Sequence, residues 1–368
     1  MIKTITQMKI AAIPFGGFFL KQIQQLQSKI GASVVIQGSY NTGNIGDLAI
    51  GTTIQKEINK LNLSSHLNGF INDYWGRKPN FKKYDYHIIG GGGVIRDYPP
   101  GNLETRLEAI GTAKKGSFLL SVGFDGLCTD KGGSLIKKLD KCKFITVRDE
   151  KSRKNLQPFL KSKIELASCP TFLMNDIKKK PQIKDKNMIG LNLRDIYENS
   201  GNWGKYIYYP RKIDLKETRK NYLDYINKTL KKNLKDIAND YKIVFIPFSR
   251  KDVFFAKKYL IDVPIEILPL QPPKETLATI NMMNRMICMR YHSIVFAILS
   301  EIPFFVISYH NKTKELLKEI KGVSFIDLLD LQEIDIDFTI KNNQVHDIKR
   351  KMKDSAKKNF VKLNSLLI

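Results

Sequence analysis

Short, continuous apolar runs alternate with amphipathic stretches through the first half of the chain. Runs rich in Val, Ile, Leu and Phe lie at 33–37, 86–89, 117–122 and 143–147. Stretches of helical periodicity lie at 47–61, 102–115 and 131–141. Continuous apolar runs are typical of strands that are buried on both faces, and their alternation with helices predicts a parallel sheet covered on both sides.

The same pattern restarts after a basic segment that contains a proline, 178–186. Predicted strands lie at 187–193, 242–247, 265–268, 286–289 and 303–308, and predicted helices at 214–238, 273–283, 292–300, 311–320 and 343–364. We therefore predict an α/β protein with two doubly wound, Rossmann-like domains, 1–180 and 181–368, facing a cleft. Ligands are expected at the carboxyl ends of the strands. The basic C-terminal helix lies beyond the last strand and is a candidate to pack back on the first domain.

The charge balance favours anionic partners. The chain has 61 Lys and Arg against 36 Asp and Glu, a net charge of +25. Much of this charge is Lys on polar faces, which is typical of solvated surface, and the rest suits a phosphorylated or carboxylated ligand or an acidic membrane face. No zinc-finger, aromatic RNA-binding or basic-zipper pattern is present, so a nucleic-acid partner is not predicted.

Cysteine and histidine spacing argues against a metal site. The four cysteines and five histidines are scattered, without a C-x-x-C pair or a ligand-like cluster. Scattered cysteines suggest a reducing compartment. The mildly apolar segment 8–20 is too short to span a membrane and lacks a convincing cleavage site. We predict a cytoplasmic protein, with peripheral contact at the inner membrane face through the basic surface.

An apolar run is interrupted by three residues, Arg290-Tyr291-His292, where a predicted strand is followed by a predicted helix. Arg presents a fixed fork of donors to a carboxylate or phosphate, and His exchanges a proton near neutral pH. The alternative is a half-buried Arg paired with an acid and a surface His. The residues alone leave these two interpretations even.

Two glycine-rich turns also follow predicted strands. The turn at 38–47 includes Asn44, Gly46 and Asp47, where backbone N–H groups and a helix N-terminus favour an anion, although Asp47 would also suit a helix N-cap. The turn at 90–93 includes Gly91 and Gly92, which let a ligand approach the backbone. Asp97 is either a cap or a contact to a sugar hydroxyl.

Eight ordered segments resemble the polysaccharide pyruvyl transferase family. They are GSYNTGNIGDLAI at 38–50, IIGGGGVIRD at 88–97, SVGFDGL at 121–127, ITVRDEKSRKNL at 145–156, CPTFLM at 169–174, GLNLRD at 190–195, IPFSRKD at 246–252 and MRYHSIVFAILSEIPFFVISYHNK at 289–312. The resemblance implies a two-domain fold like that of nucleotide-sugar glycosyltransferases (GT-B-like). It also implies transfer of a pyruvyl group from phosphoenolpyruvate to a sugar, forming a ketal. Leu48 and Cys169 depart from the family pattern, where Glu and Asp are common.

The resemblance and the chemistry of the donor together suggest roles for single residues. A phosphate and a carboxylate require two separated cationic groups with several hydrogen-bond donors each. We expect Arg290 and Arg194 to be these groups. For Arg194 the alternative is a salt bridge to Asp195 or Glu198. His292 would act as general acid to the methylene carbon, and Asp47 would orient or deprotonate the acceptor hydroxyl.

Three further segments have less certain roles. Lys312, in a family-like Tyr-x-x-Lys, would neutralise the phosphate or lie on the surface. Asp149 and Ser152 suit helix capping, so the Arg148-Asp149-x-x-Ser152 segment is interpreted as structural. The aromatic residues of 195–213 suit a lid, stacking on a sugar or a small packed loop.

Two other functions stay open at this stage. A glycosyltransferase with a nucleotide-sugar donor would share the fold, although the second domain has no obvious Glu pair to hold a ribose. A non-catalytic saccharide-binding relative would explain the departures at Leu48 and Cys169. The leading hypothesis needs no cofactor and no metal: phosphoenolpyruvate is the donor substrate, and a saccharide, free or lipid-linked, is the acceptor.

Overall fold

The computed structural model describes residues 33–70, 80–97, 103–127, 130–174, 187–196, 215–328 and 336–367. The predicted boundary segment 178–186, the N-terminal segment 8–20 and all but the first two residues of the loop 195–213 lie outside these residues.

The first sheet has six parallel strands in the order β2-β1-β3-β4-β5-β6. They are β1 (Val34–Gly38), β2 (Ser65–Gly69), β3 (Tyr86–Gly92), β4 (Gly116–Val122), β5 (Cys142–Val147) and β6 (Glu165–Leu166). Their connections contain α1 (Ile45–Asn59), α2 (Leu103–Leu107), α3 (Asp130–Ile136) and α4 (Glu150–Leu156).

The second sheet also has six parallel strands, in the order β12-β11-β10-β7-β8-β9. They are β7 (Met188–Leu191), β8 (Lys242–Phe245), β9 (Ile265–Ile267), β10 (Arg285–Cys288), β11 (Phe304–Ser308) and β12 (Phe325–Asp327). The helices are α5 (Leu215–Tyr225), α6 (Lys231–Ile237), α7 (Arg250–Tyr259), α8 (Pro273–Ile280), α9 (Tyr291–Leu299), α10 (Asn311–Glu319) and α11 (Asn342–Leu367), with a π-helical turn at Ile226–Leu230 joining α5 to α6.

The predicted fold class is confirmed: the protein has two parallel-sheet α/β units. The central strands β1, β3, β10 and β11 are buried, which is why their sequences are almost wholly apolar. The sequence interpretation missed β2, β6 and β12. All three lie at sheet edges. β6 and β12 have only two and three residues and are partly exposed, and β2 (SHLNG) is largely buried but has a single large apolar residue.

Because the strands run parallel, each following helix begins at the carboxyl edge of its sheet, and this arrangement decides where ligands can meet helix N-termini. Within the described ranges, no helix is long and apolar enough to cross a membrane.

The C-terminal helix α11 contacts both units. Near its start, Lys349 bonds Glu301, just past the end of α9, at 2.8 Å. Near its end, Asn359 donates to Ser121 of β4 at 3.0 Å and the Leu367 carbonyl accepts from Tyr86 of β3 at 2.9 Å. The helix therefore links the second sheet to the first.

Glu319, at the end of α10, lies in the electrostatic field of the first unit. Burial and nearby Asp149 raise the pKa of its carboxyl to about 7, against a lowering by Lys351. The folded protein therefore holds a proton on Glu319 between about pH 4.5 and 7, which the unfolded chain releases. Stability from this group is lost as pH rises through that window.

We expect Glu319→Gln to stabilise the protein more at pH 8 than at pH 5, because glutamine removes the titration. After allowance for solvent screening the gain is about 1 kcal/mol, or about 1–2 °C in Tm. Thermal unfolding at both pH values measures it, with Glu104→Gln on the exposed surface as the matched control. An equal Tm change at the two pH values would contradict the assignment.

Candidate functional site

A cavity of about 420 Å³ lies between the carboxyl edges of the two sheets. The first unit lines it with Ser39, Thr42, Asn44, Asp47, Gly92, Gly93, Val94, Arg96, Asp125 and Arg148. The second unit lines it with Phe248, Lys251, Arg290, Tyr291, His292, Tyr309, His310 and Lys312. Six residues predicted from sequence therefore meet in one place: Asn44, Asp47, Gly92, Arg290, His292 and Lys312. Gly46, Gly91, Asp97 and Arg194 do not line it.

Two backbone N–H groups in the first turn of α1 already have hydrogen-bond partners. Asn44 is the N-cap, and its side chain accepts from the Gly46 N–H at 3.0 Å. The Ile45 N–H donates across to the Phe248 carbonyl of the second unit at 2.9 Å. The expectation that Asp47 is the cap is therefore wrong: Asp47 lies within the first turn and its side chain faces the cavity. Two of the N–H groups expected to bind an anion are already used.

Gly46 provides space for His292. A β-carbon at Gly46 would overlap the His292 imidazole, so only glycine allows the first turns of α1 and α9 to meet. Gly46 thus shapes the site through His292 rather than by contacting a ligand.

His292 is buried, at 7% exposure, among cations. Burial lowers the pKa of its imidazole well below the usual value, and Arg148, Lys312 and Arg290 lower it further. Its Nε2 lies 3.7 Å from the Cys169 sulfur. Burial raises the pKa of that thiol, so the neighbour is a neutral group that gives no charge stabilisation to an imidazolium. His292 is neutral in the unliganded site.

Arg290 is held by a buried carboxylate. Its Nε donates to Asp252 at 2.7 Å, and its Nη2 donates to the other Asp252 oxygen and to Ser249 at 2.8 Å. Asp252 is fully buried and also accepts from the Phe248 N–H at 2.9 Å. These bonds use Nε and Nη2, so Nη1 is the edge of Arg290 available to a ligand. Arg290 therefore pairs with an acid and also lines the cavity.

Arg194 lies behind the cavity wall rather than in it, which corrects its predicted position. Its Nη1 donates to the Tyr309 hydroxyl at 3.0 Å, and its Nε donates to the Asp195 backbone carbonyl at 3.0 Å. The alternative salt bridge to Asp195 is also wrong, because that carboxylate pairs with Arg219 at 2.8 and 3.1 Å. Glu198 lies outside the described residues.

Tyr309 and Lys312 lie side by side at the start of α10. Burial would raise the pKa of the Tyr309 phenol, but Arg194, Lys312 and Arg290 lower it to about 8. Burial lowers the pKa of the Lys312 ammonium. His310 caps this helix by accepting the Lys312 backbone N–H at 3.2 Å.

Arg148 is a cavity residue that the sequence interpretation treated as structural. Its guanidinium lies 4.7 Å from the centre of the Tyr291 ring and 3.4 Å from an Asp149 oxygen. A β-carbon at Gly123 would overlap this guanidinium. Asp149 does cap α4 by accepting the Ser152 N–H at 2.7 Å, so the capping prediction is confirmed. The signal for Arg148 was its place directly after a buried strand, the feature that identified Arg290.

The remaining predicted residues support the cavity walls. Gly91 and Gly92 adopt φ of +61° and +74°, which favours glycine. Gly91 packs on Ile50 of α1. A β-carbon at Gly132 would lie 2.6 Å from an Asp97 carboxylate oxygen, which places Asp97 against α3 and outside the cavity lining.

Positive charge exceeds negative charge in the cavity. Five side chains are cationic (Arg96, Arg148, Lys251, Arg290, Lys312) and two are carboxylates (Asp47, Asp125). Lys251, Arg290 and Lys312 lie at the N-termini of helices, whose dipoles favour anions over cations. Within the described ranges, no group of three His, Cys, Asp or Glu side chains could hold a metal ion. The arrangement suits a small polyanion.

Comparison with known proteins identifies a family. A family model described as polysaccharide pyruvyl transferase matches residues 44–311, more than two thirds of the chain. No curated protein matches the chain.

Solved structures resemble this chain to different degrees. The S. aureus MnaA–UDP co-structure has a TM-score of 0.51 at 10% identity, covering 90% of each chain. A putative UDP-N-acetylglucosamine 2-epimerase from Listeria monocytogenes has a TM-score of 0.49 at 9% identity, covering 90% of each chain. UDP-GlcNAc 2-epimerase from Methanocaldococcus jannaschii has a TM-score of 0.46 at 12% identity, covering 88% of this chain and 99% of that one. At these identities the likeness concerns the fold.

Gly46→Ala should destabilise the protein, because the new methyl group displaces the His292 ring or separates the two helix starts. Overpacking of this kind costs about 1–3 kcal/mol, to be measured by chemical denaturation. Gly133→Ala is the matched control: it also lies in a helix, and its β-carbon would make ordinary contacts of 3.5 and 3.7 Å with Phe159. Equal stability of the two variants would show that Gly46 does not set the contact.

Proposed function

The chain belongs to the polysaccharide pyruvyl transferase family, and we propose that it moves a pyruvyl group from phosphoenolpyruvate to a sugar, forming a ketal. The sugar is part of a cell-surface polysaccharide or of its lipid-linked precursor. The observation that supports this most is the cationic cavity around His292, to which both units contribute.

The donor has about three negative charges near neutral pH, from its phosphate and its carboxylate. Two guanidinium groups from opposite sides of the cavity, Arg148 and Arg290, suit these two anions because planar forks bind carboxylate and phosphate well. Lys312 supplies a third, more compact charge next to them. Arg148 thus takes the place that the sequence interpretation gave to Arg194.

The first chemical step is addition of an acceptor hydroxyl across the donor double bond. A proton goes to the methylene carbon, the hydroxyl oxygen bonds to C2, and the hydroxyl proton leaves. His292 is the proton donor in this proposal, and Asp47, across the cavity in α1, is the acceptor of the hydroxyl proton.

His292 can donate only if it is first protonated. The neighbouring cations that hold its pKa down are the groups that the donor would neutralise. Binding of the donor would therefore raise the His292 pKa and bring a proton with it. Cys169, a neutral neighbour, makes this coupling stronger than a carboxylate would, because a carboxylate would already favour the imidazolium.

The test of function is phosphate release from phosphoenolpyruvate with methyl glycosides of galactose, glucose, mannose and N-acetylmannosamine as acceptors. His292→Asn should lower the rate by about 10²–10⁴-fold, the range for general acid catalysis. His346→Asn, the same change at an exposed histidine of α11, should leave it unchanged. A Tm increase with UDP but none with phosphoenolpyruvate would instead favour a nucleotide-sugar glycosyltransferase.

Proton uptake should accompany donor binding. Titration calorimetry of phosphoenolpyruvate at pH 7 in two buffers of different ionisation enthalpy gives the number of protons bound. We expect wild type to take up about one proton more than His292→Asn, since the His292 pKa rises on binding. Equal uptake by both proteins would mean that another group receives the proton or that His292 stays neutral.

A further inference from the structure

We propose that Tyr309 is a catalytic residue for the second half of the reaction: its phenol protonates the leaving phosphate and then takes the proton of the second acceptor hydroxyl. This inference rests on the proposed function. It assigns separate acid–base groups to the two halves of ketal formation.

The geometry directs the phenolic proton away from Arg194, which donates a hydrogen bond to the Tyr309 hydroxyl. Tyr309 follows β11, is 5% exposed and lines the cavity. Arg194 donates to its hydroxyl oxygen at 3.0 Å. Because the guanidinium has only donors, the tyrosine oxygen accepts there, and its own hydrogen must be given to something else. The cavity, which Tyr309 lines, can supply that acceptor.

The surrounding charges distinguish Tyr309 from the other buried tyrosines. Tyr40, Tyr222 and Tyr291 have pKa values raised above the usual range, in each case chiefly by burial. At Tyr309 the effect of burial is outweighed by Arg194, Lys312 and Arg290. These cations stabilise the phenolate that remains after proton transfer, which is what a general acid needs.

The second half of the reaction requires two further proton transfers. After the first addition, C2 bears the new ether oxygen and the phosphate ester. A dianionic phosphate would leave as a trianion unless an oxygen is protonated as the C2–O bond breaks. The second hydroxyl must also lose its proton as it bonds to C2. In the proposed first half His292 gives up one proton and Asp47 receives one. Return of that proton from Asp47 to His292 resets the pair, and a separate group then serves the two proton transfers of the second half.

Tyr309 can make both proton transfers and return to its original protonation state. Its proton goes to the departing phosphate, which leaves as the hydrogen phosphate dianion with the electron pair of the C2–O bond. The phenolate then takes the proton of the second hydroxyl, whose oxygen forms the new bond to C2 and closes the ketal. Across this half, one proton moves from the hydroxyl to the phosphate.

Arg194 is then a positioning residue for Tyr309. The Tyr222 hydroxyl donates to its carbonyl at 2.9 Å, and its Nε is fixed on the Asp195 carbonyl. These contacts fix the Arg194 guanidinium where it can orient the Tyr309 phenol and stabilise the phenolate. This explains an arginine at a strand end that does not reach the cavity.

The test compares the two halves of the reaction in Tyr309→Phe. In deuterated water, deuterium entering C3 of recovered phosphoenolpyruvate reports reversible addition, and phosphate release reports completion. Both are measured with the same four methyl glycosides. Phenylalanine keeps the ring and removes only the hydroxyl. Tyr86→Phe is the matched control, since it removes a buried hydroxyl that donates to the Leu367 carbonyl and does not line the cavity.

We expect Tyr309→Phe to release phosphate about 10²–10⁴-fold more slowly than wild type, while deuterium exchange continues at the wild-type rate or faster. His292→Asn should lose both, and Tyr86→Phe should release phosphate near the wild-type rate. Phosphate release by Tyr309→Phe at the wild-type rate, or a parallel loss of release and exchange, would overturn the inference. If the wild-type protein itself released no phosphate, the proposed function would be wrong, and the role of Tyr309 would fall with it.

Discussion

The contact between Gly46 and His292 fixes how the two units meet. Both residues lie in the first turn of a helix that follows a central strand, and the contact requires that one of them has no side chain. The bond from the Ile45 N–H to the Phe248 carbonyl secures the same junction at 2.9 Å. Every other cavity residue is positioned relative to this junction, because its helix or loop begins at the same sheet edges.

Bringing the units together buries several positive charges. Only some have a fixed counterion: Asp252 holds Arg290, and removal of one partner from such a buried pair typically costs about 3–5 kcal/mol. Arg148 lies 3.4 Å from an Asp149 oxygen, and Lys312 lies at a helix start, so positive charge in the cavity still exceeds negative charge. The site is thus electrostatically unfavourable, and the anionic donor that we propose would relieve this. Burial and the same charges keep the pKa of His292 low.

Sequence was sufficient for the fold because buried parallel strands need apolar runs, and these were visible at β1, β3, β10 and β11. It was not sufficient for short edge strands such as β6. In the site, Arg290 and His292 could be found because they interrupt an apolar run. Arg148 was missed because its neighbours Asp149 and Ser152 gave a complete structural explanation of the segment.

Side-chain direction was a second limit on what sequence could predict. Arg194 and Arg290 both follow buried strands, yet one turns behind Tyr309 and the other reaches the cavity. That difference depends on Asp252 and Tyr309, which are distant in sequence from the arginines they hold. The helix cap had a similar ambiguity, since both Asn44 and Asp47 are suitable residue types and only the backbone geometry decides between them.

The course of α11 has a mechanical consequence. α11 spans both units over its 26 residues, from the Lys349–Glu301 ion pair to the Leu367 carbonyl that accepts from Tyr86. It therefore ties the second unit to the first. Wide opening would also break the bonds of α11 to Ser121 and Ser168. Separation of the two units is therefore opposed by bonds that lie outside the cavity.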